Sequence, residues 1–118
     1  MDETKELVQR VVEGIQEKKG KHITVVDLTQ LDAACRYFVL CEGSSNTHIL
    51  AITDSVSDYV RTTTGSKPFA TDGQRNALWV AMDYGDVMVH IFERETREFY
   101  NLEHLWSDAK LTAITDME

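Results

Sequence analysis

Two aspartates, Asp83 and Asp86, flank the Tyr84-Gly85 pair inside MDYGDVMVHIF, a stretch otherwise made of residues suited to burial. Neighbouring carboxylates can hold a divalent cation or divide acid and base work, as in hydrolases and nucleotidyl transferases. Such a site needs supporting ligands. A nucleotidyl-transfer centre wants a Gly-Ser turn followed by paired acids on the next strand. After Gly43-Ser44, however, the chain reads as a helix, and no close acidic pair falls on a strand before the 83–86 turn. His22, His48, His90 and His104 are scattered, with no H-E-x-x-H spacing and no Cys-His cluster of the zinc type. The serines near residue 44 lack a G-x-S-x-G frame, and the glycines never gather into a P-loop or dinucleotide fingerprint. These residues assign no catalytic centre, no resident metal and no cofactor. A metal-dependent, nucleotidyltransferase-like enzyme stands as the alternative, resting on Asp83 and Asp86 alone.

What positions the pair follows from the rest of the chain. Its 118 residues suit one ordinary domain, expected over 1–118 with its core at about 3–109. Hydrophobic residues make up 42% and proline occurs once, which fits a packed globule better than a disordered tail. Twenty acidic against twelve basic side chains leave a formal charge of -8, which repels phosphate backbones and favours basic protein partners. Direct sequence-specific nucleic-acid binding is therefore not expected. Cys35 and Cys41, six apart in a largely apolar stretch, read as buried free thiols in a reducing compartment. MDETKELVQR carries no apolar core of signal-peptide type, and no run approaches a membrane span, so a soluble cytoplasmic protein is expected.

Leu7, Val8, Val11, Val12 and Ile15 share one helical face, with acids early, lysines late and Gly20 behind, predicting a helix over 3–19. HITVVDL and RYFVLCEG read as strands. Ile49, Ile52, Val56, Tyr59 and Val60 recur at intervals of three or four behind the candidate caps Ser44, Ser45 and Asn46, predicting a helix over 46–63. SKPFATDGQRN reads as a loop with room for a short edge strand. ALWVAMD and DVMVHIFE form a hairpin, and Asn101 can cap a short helix carrying Leu102, Leu105 and Trp106. The tail after Ala109 has little to bury. This mixed order predicts an α/β domain with a mixed sheet covered by helices.

If Tyr84-Gly85 is a two-residue turn, Met82 opposes Val87, Val80 opposes Val89 and Leu78 opposes Ile91 on an aliphatic core face. The other face then carries Asp83 opposite Asp86, Ala81 opposite Met88, Trp79 opposite His90 and Ala77 opposite Phe92. Like charges directly opposed disfavour pairing by roughly 0.2–1 kcal/mol. Aromatic rings beside acids and alanines suit a docking surface. Trp79 and Met88 are the expected apolar anchors; Asp83, Tyr84, Asp86 and His90 are the expected polar contacts. The competing expectation buries Trp79 under the C-terminal segment and leaves the aspartates as ordinary turn residues.

The block Trp79 to Ala109 combines W-V-x-x-D-Y-G-D-V, V-H-I-F, R-E-x-Y and L-E-x-L-W-x-D-A in order, and it resembles the signature of the ribosomal silencing factor family, also called Iojap-like. YFVLCEGSS and AITDSVSDYV extend the resemblance through the family's aromatic strand and second helix. Arg36, His48 and Thr71-Asp72-Gly73 depart from the usual family residues. The resemblance implies a nucleotidyltransferase-like shape without the catalytic motif. It also implies a non-enzymatic binding function: attachment to the large ribosomal subunit through its universal protein fourteen, which hinders small-subunit joining and lowers translation when nutrients are scarce. A homodimer off the ribosome is implied too. A generic homodimeric adaptor for some other basic protein is the remaining alternative.

Overall fold

The apolar stripes of the two long helices meet one face of a sheet, in a computed structural model that describes residues 3–116. Helix α1 (Glu3–Glu17) buries Val11, Val12 and Ile15, and α2 (Asn46–Thr64) buries Ile49, Ile52, Val56 and Val60. Gly14 lets them touch: a Cβ there would lie 3.0 Å from Val56 Cα. Ser55 Oγ donates to the Gly14 carbonyl at 2.8 Å, and the Tyr59 hydroxyl donates to Glu13 at 2.7 Å. Ser45 caps α2 by accepting from the His48 N–H, and Gly65 ends it in the left-handed conformation at φ 80°. Helix α1 stops at Glu17, two residues before the expected end, as Lys19 turns left-handed at φ 57°.

The strands are β1 (Lys21–Asp27), β2 (Tyr37–Glu42), β3 (Ala70–Asp72), β4 (Trp79–Asp83), β5 (Val87–Phe92) and β6 (Lys110–Ala113). They form a six-stranded mixed sheet in the order β3-β4-β5-β2-β1-β6. Only β2 and β5 run parallel, and the chain between them passes through α2, the crossover that a parallel pair requires. Val39 and Cys41 of β2, Val80 and Met82 of β4, and Val87, Val89 and Ile91 of β5 form the core with the helices. The expected α/β class, mixed sheet and helical cover are therefore found, including an edge strand within SKPFATDGQRN.

The structure corrects or extends the sequence expectations at several places. Helix α3 (Arg94–Tyr100) lies in a segment for which the sequence predicted no element, and α4 (Leu102–Leu105) follows Asn101 without a side-chain capping bond. The tail after Ala109 has little to bury, as expected: β6 pairs antiparallel with β1 while its own residues stay exposed. Leu78 is 41% exposed while Ala77 is buried in the core, because Ala77 sits at φ 54° and the kink breaks strand alternation there.

Candidate docking face

The hairpin turn decides what β4 and β5 present. The Tyr84 N–H donates to the Val87 carbonyl at 2.9 Å, so Gly85 and Asp86 are the central turn residues. Gly85 has φ 87°, and a positive φ at the first central position is what a type II′ hairpin turn needs. Asp83 Oδ1 accepts from the Gly85 N–H at 2.8 Å. Asp83 therefore pairs with Met88, Ala81 with His90 and Trp79 with Phe92. The expected pairs, Asp83 with Asp86 and Trp79 with His90 among them, are corrected by a two-residue offset. An even offset keeps every strand side chain on its face, so the division into a core face and a second face survives. The opposed like charges do not exist. Asp83 helps to shape the turn, and Asp86 projects from it exposed.

The second face carries Trp79, Ala81 and Asp83 from β4 and Met88, His90 and Phe92 from β5. The parallel register sets Phe38 beside Met88 and Leu40 beside His90. Part of this face is roofed. Trp79 lies half-buried, its ring 5.1 Å from Phe92 and 4.7 Å from Tyr100 at the end of α3, so packing under the C-terminal segment is what occurs. Its indole Nε1–H donates to His90 Nδ1 at 3.0 Å. An accepting Nδ1 places the imidazole proton on Nε2, which is buried without a hydrogen-bond partner among the described residues. The ring stands nearly perpendicular to Phe38 at 4.9 Å. Burial pushes His90 down to about 4, so it is neutral near pH 7.

Two of the six expected contacts are almost fully buried and do not present themselves on the second face. His90 is 6% exposed, and its visible role is to hold the Trp79 indole. Tyr84, also 6% exposed, falls on the helix-covered face within the main core, and burial pushes its phenol up to about 12. Sequence alternation alone places Tyr84 with Val80 and Met82. Trp79, Asp83 and Met88 remain partly accessible beside the exposed Asp86.

Between the roof and the turn the second face opens into a hollow of about 240 Å³, lined by Phe38, Cys35, Asp83, Met88 and Trp106 among others. Trp106 meets Phe38 edge-on at 6.0 Å and forms one wall. Phe38 and Cys35 were not legible as site residues, because only the β2–β5 register brings them to the hairpin. Burial first, then the nearby Asp83, raises the Cys35 thiol pKa, so it stays a protonated apolar wall. The hollow offers an apolar floor with a carboxylate on its wall. That pairing accommodates a long side chain with an aliphatic stem and a cationic end.

The roof is pinned by a residue the sequence did not single out. Arg97 is 7% exposed, and its Nη1 donates to the His22 carbonyl at 2.7 Å and to Glu42 at 3.0 Å. Its Nη2 donates to Thr24 at 3.1 Å and to Glu103 at 2.9 Å. The pattern R-E-x-Y held the clue, since its Tyr100 covers Trp79 while Arg97 binds the sheet from the same helix. Among the described residues, no group of three or more His, Cys, Asp or Glu side chains could hold a metal ion, and no helix is long and apolar enough to cross a membrane.

A family model described as "Ribosomal silencing factor during starvation" matches residues 1–118. The chain belongs to the ribosomal silencing factor family. A member from Halalkalibacterium halodurans, named ribosomal silencing factor RsfS, is 33% identical over 104 residues, covering 88% of each chain. A crystal structure of a Chromobacterium violaceum protein superposes with a TM-score of 0.85 at 27% identity, covering 97% of this chain and 94% of that one. A mouse protein named mitochondrial assembly of ribosomal large subunit protein 1 is 28% identical over 102 residues, which cover 85% of this chain and 45% of the mouse protein.

Proposed function

We propose that this protein silences ribosomes by occupancy: it docks on the large subunit through its universal protein fourteen and fills volume the small subunit needs. Membership in the ribosomal silencing factor family supports the general role, and the name of the mouse relative supports the large subunit as the target. The observation that carries the docking site is the hollow beside the hairpin turn, where Phe38 and Met88 form an apolar floor and Asp83 supplies charge. A lysine or arginine of a basic protein would lay its stem on that floor and its cation against the carboxylate. Trp79 and Met88 act as apolar contacts, Asp83 and Asp86 as acidic ones, and His90 as the group that orients Trp79. Tyr84 is left out of the contact set. The formal charge of -8 speeds encounter with a basic protein and repels surrounding RNA phosphates, so docking falls on protein. No covalent step is needed. Off the ribosome the protein is a homodimer in the cytoplasm.

The test is cosedimentation of the full chain with purified large subunits. Asp83→Lys combined with Met88→Asp puts charges of the wrong sign and place in the hollow and is expected to weaken binding by at least about tenfold, equivalent to about 1.4 kcal/mol. Both side chains are partly accessible, and a cooperative melt of the variant is the check that loss of the Asp83 bond to the Gly85 N–H has not unfolded the hairpin. Unchanged cosedimentation would move the docking site elsewhere. Absence of wild-type cosedimentation would favour the generic adaptor.

A further inference from the structure

On the helix side of the hairpin tip lies a second cleft of about 470 Å³, between the start of α1 and the end of α2. Among the described residues, every formally charged one lining it is an acid: Glu3, Glu6 and Asp86. The C-terminal end of α2 adds the negative pole of a helix, through Thr63 and Thr64. Both threonine hydroxyls already spend their hydrogens, on the Tyr59 carbonyl at 2.7 Å and the Val60 carbonyl at 2.8 Å. Toward the cleft they can only accept. Two arginines stand at its margin without lining it, Arg10 with Glu6 at 3.5 Å and Arg36 with the Thr4 hydroxyl at 3.3 Å.

Acids and accepting hydroxyls alone would be an ordinary solvated surface. Tyr84 makes the difference. It lines the cleft, is 94% buried, and its hydroxyl has no hydrogen-bond partner among the described residues. A buried phenol without a partner is destabilising, whereas Phe would fill the same space without that cost. The hydroxyl is explained if something else supplies its partner. Acceptors on several sides call for a cation rich in N–H donors, and a primary ammonium brings three of them on a compact charge. A bare metal ion does not fit, since no three metal-ligating side chains converge among the described residues.

We propose that this cleft binds an alkylammonium group, the end of a lysine side chain or of a free polyamine, with the Tyr84 hydroxyl at its base and Glu3 and Asp86 at its mouth. The site lies across the sheet from the docking hollow and does not depend on the ribosomal reading.

The experiment is a proton–nitrogen NMR titration of the full chain with n-butylammonium, spermidine and a short uncharged-flank peptide containing one lysine. Tetramethylammonium, which has the charge but no N–H, and sodium chloride at matched ionic strength are the controls. Saturable shifts confined to residues 3–7, 63–66 and 84–86 are expected with the amines and absent with the controls. Tyr84→Phe should weaken n-butylammonium binding about tenfold, the worth of one hydrogen bond to a charged group. Glu3→Gln should weaken it as well. Without ligand, Tyr84→Phe should melt at the same temperature as the wild type or higher, which separates lost binding from lost fold. Tighter spermidine binding would identify a polyamine as the source, and tighter peptide binding a lysine; either supports the site. Equal shifts with tetramethylammonium or sodium, or amine affinity unchanged in Tyr84→Phe, would overturn it. The titration contains no ribosome, so its failure leaves the docking proposal standing, and failed cosedimentation leaves this one standing.

Discussion

Trp79 and His90 work as one unit, joined by the 3.0 Å bond from the indole N–H to Nδ1, with the imidazole buried against Phe38 and Phe92. Which side of the sheet they occupy was legible, because alternation along a strand depends only on the residue count. Their pairing was not, because it depends on where the turn centres, and here Gly85 takes the first central position. Nor does sequence show that the imidazole is closed off from water. That closure has a measurable consequence. Burial lowers His90 from an ordinary 6.5 to about 4, so the unfolded chain takes up a proton that the folded one refuses between those values. The contribution of neutral His90 is complete above pH 6.5 and is lost as pH falls toward about 4, by about 3 kcal/mol in total. Urea unfolding across that interval should show the wild type losing stability more steeply than His90→Phe. Parallel curves for the two proteins would contradict a buried neutral imidazole.

Among the elements, those that bury a regular stripe were readable from periodicity: α1, α2 and the strands of the central sheet. Helix α3 was not, because RETREFY shows no apolar stripe and its Phe99 is 81% exposed. What holds it is a buried guanidinium, and an arginine inside a charged run gives no outward sign of burial. Strand β6 was hidden for a related reason. KLTA covers nothing and earns its place through backbone bonds to β1. The element-scale prediction concerns the clamp. Arg97→Leu leaves Glu42 and Glu103 close together without their cation and should cost about 3–5 kcal/mol. Arg97→Lys should recover only part of this, since one ammonium cannot serve partners on both arms of the guanidinium. Urea midpoints check both variants, and a loss below about 1 kcal/mol for Arg97→Leu would mean the contacts are those of a surface pair.

At the scale of the whole molecule, one layer of helices leaves the other side of the sheet to be covered by short, charged segments. The cover is incomplete at the hairpin, and the incompleteness makes the hollow. Composition foretold the kind of partner, because an excess of acids over bases is a property of the sum. It could not foretell the hollow, which needs the parallel β2–β5 register to bring Phe38 and Cys35 beside Met88. The central claim is that occupying the large subunit keeps the small one away, and subunit joining measures it directly. Purified large subunits are preincubated with this protein, small subunits are added, and light scattering follows association. The account predicts that the wild-type protein suppresses the association signal in proportion to its occupancy, and that Asp83→Lys with Met88→Asp restores it. Full association in the presence of saturating, bound wild-type protein would contradict the account.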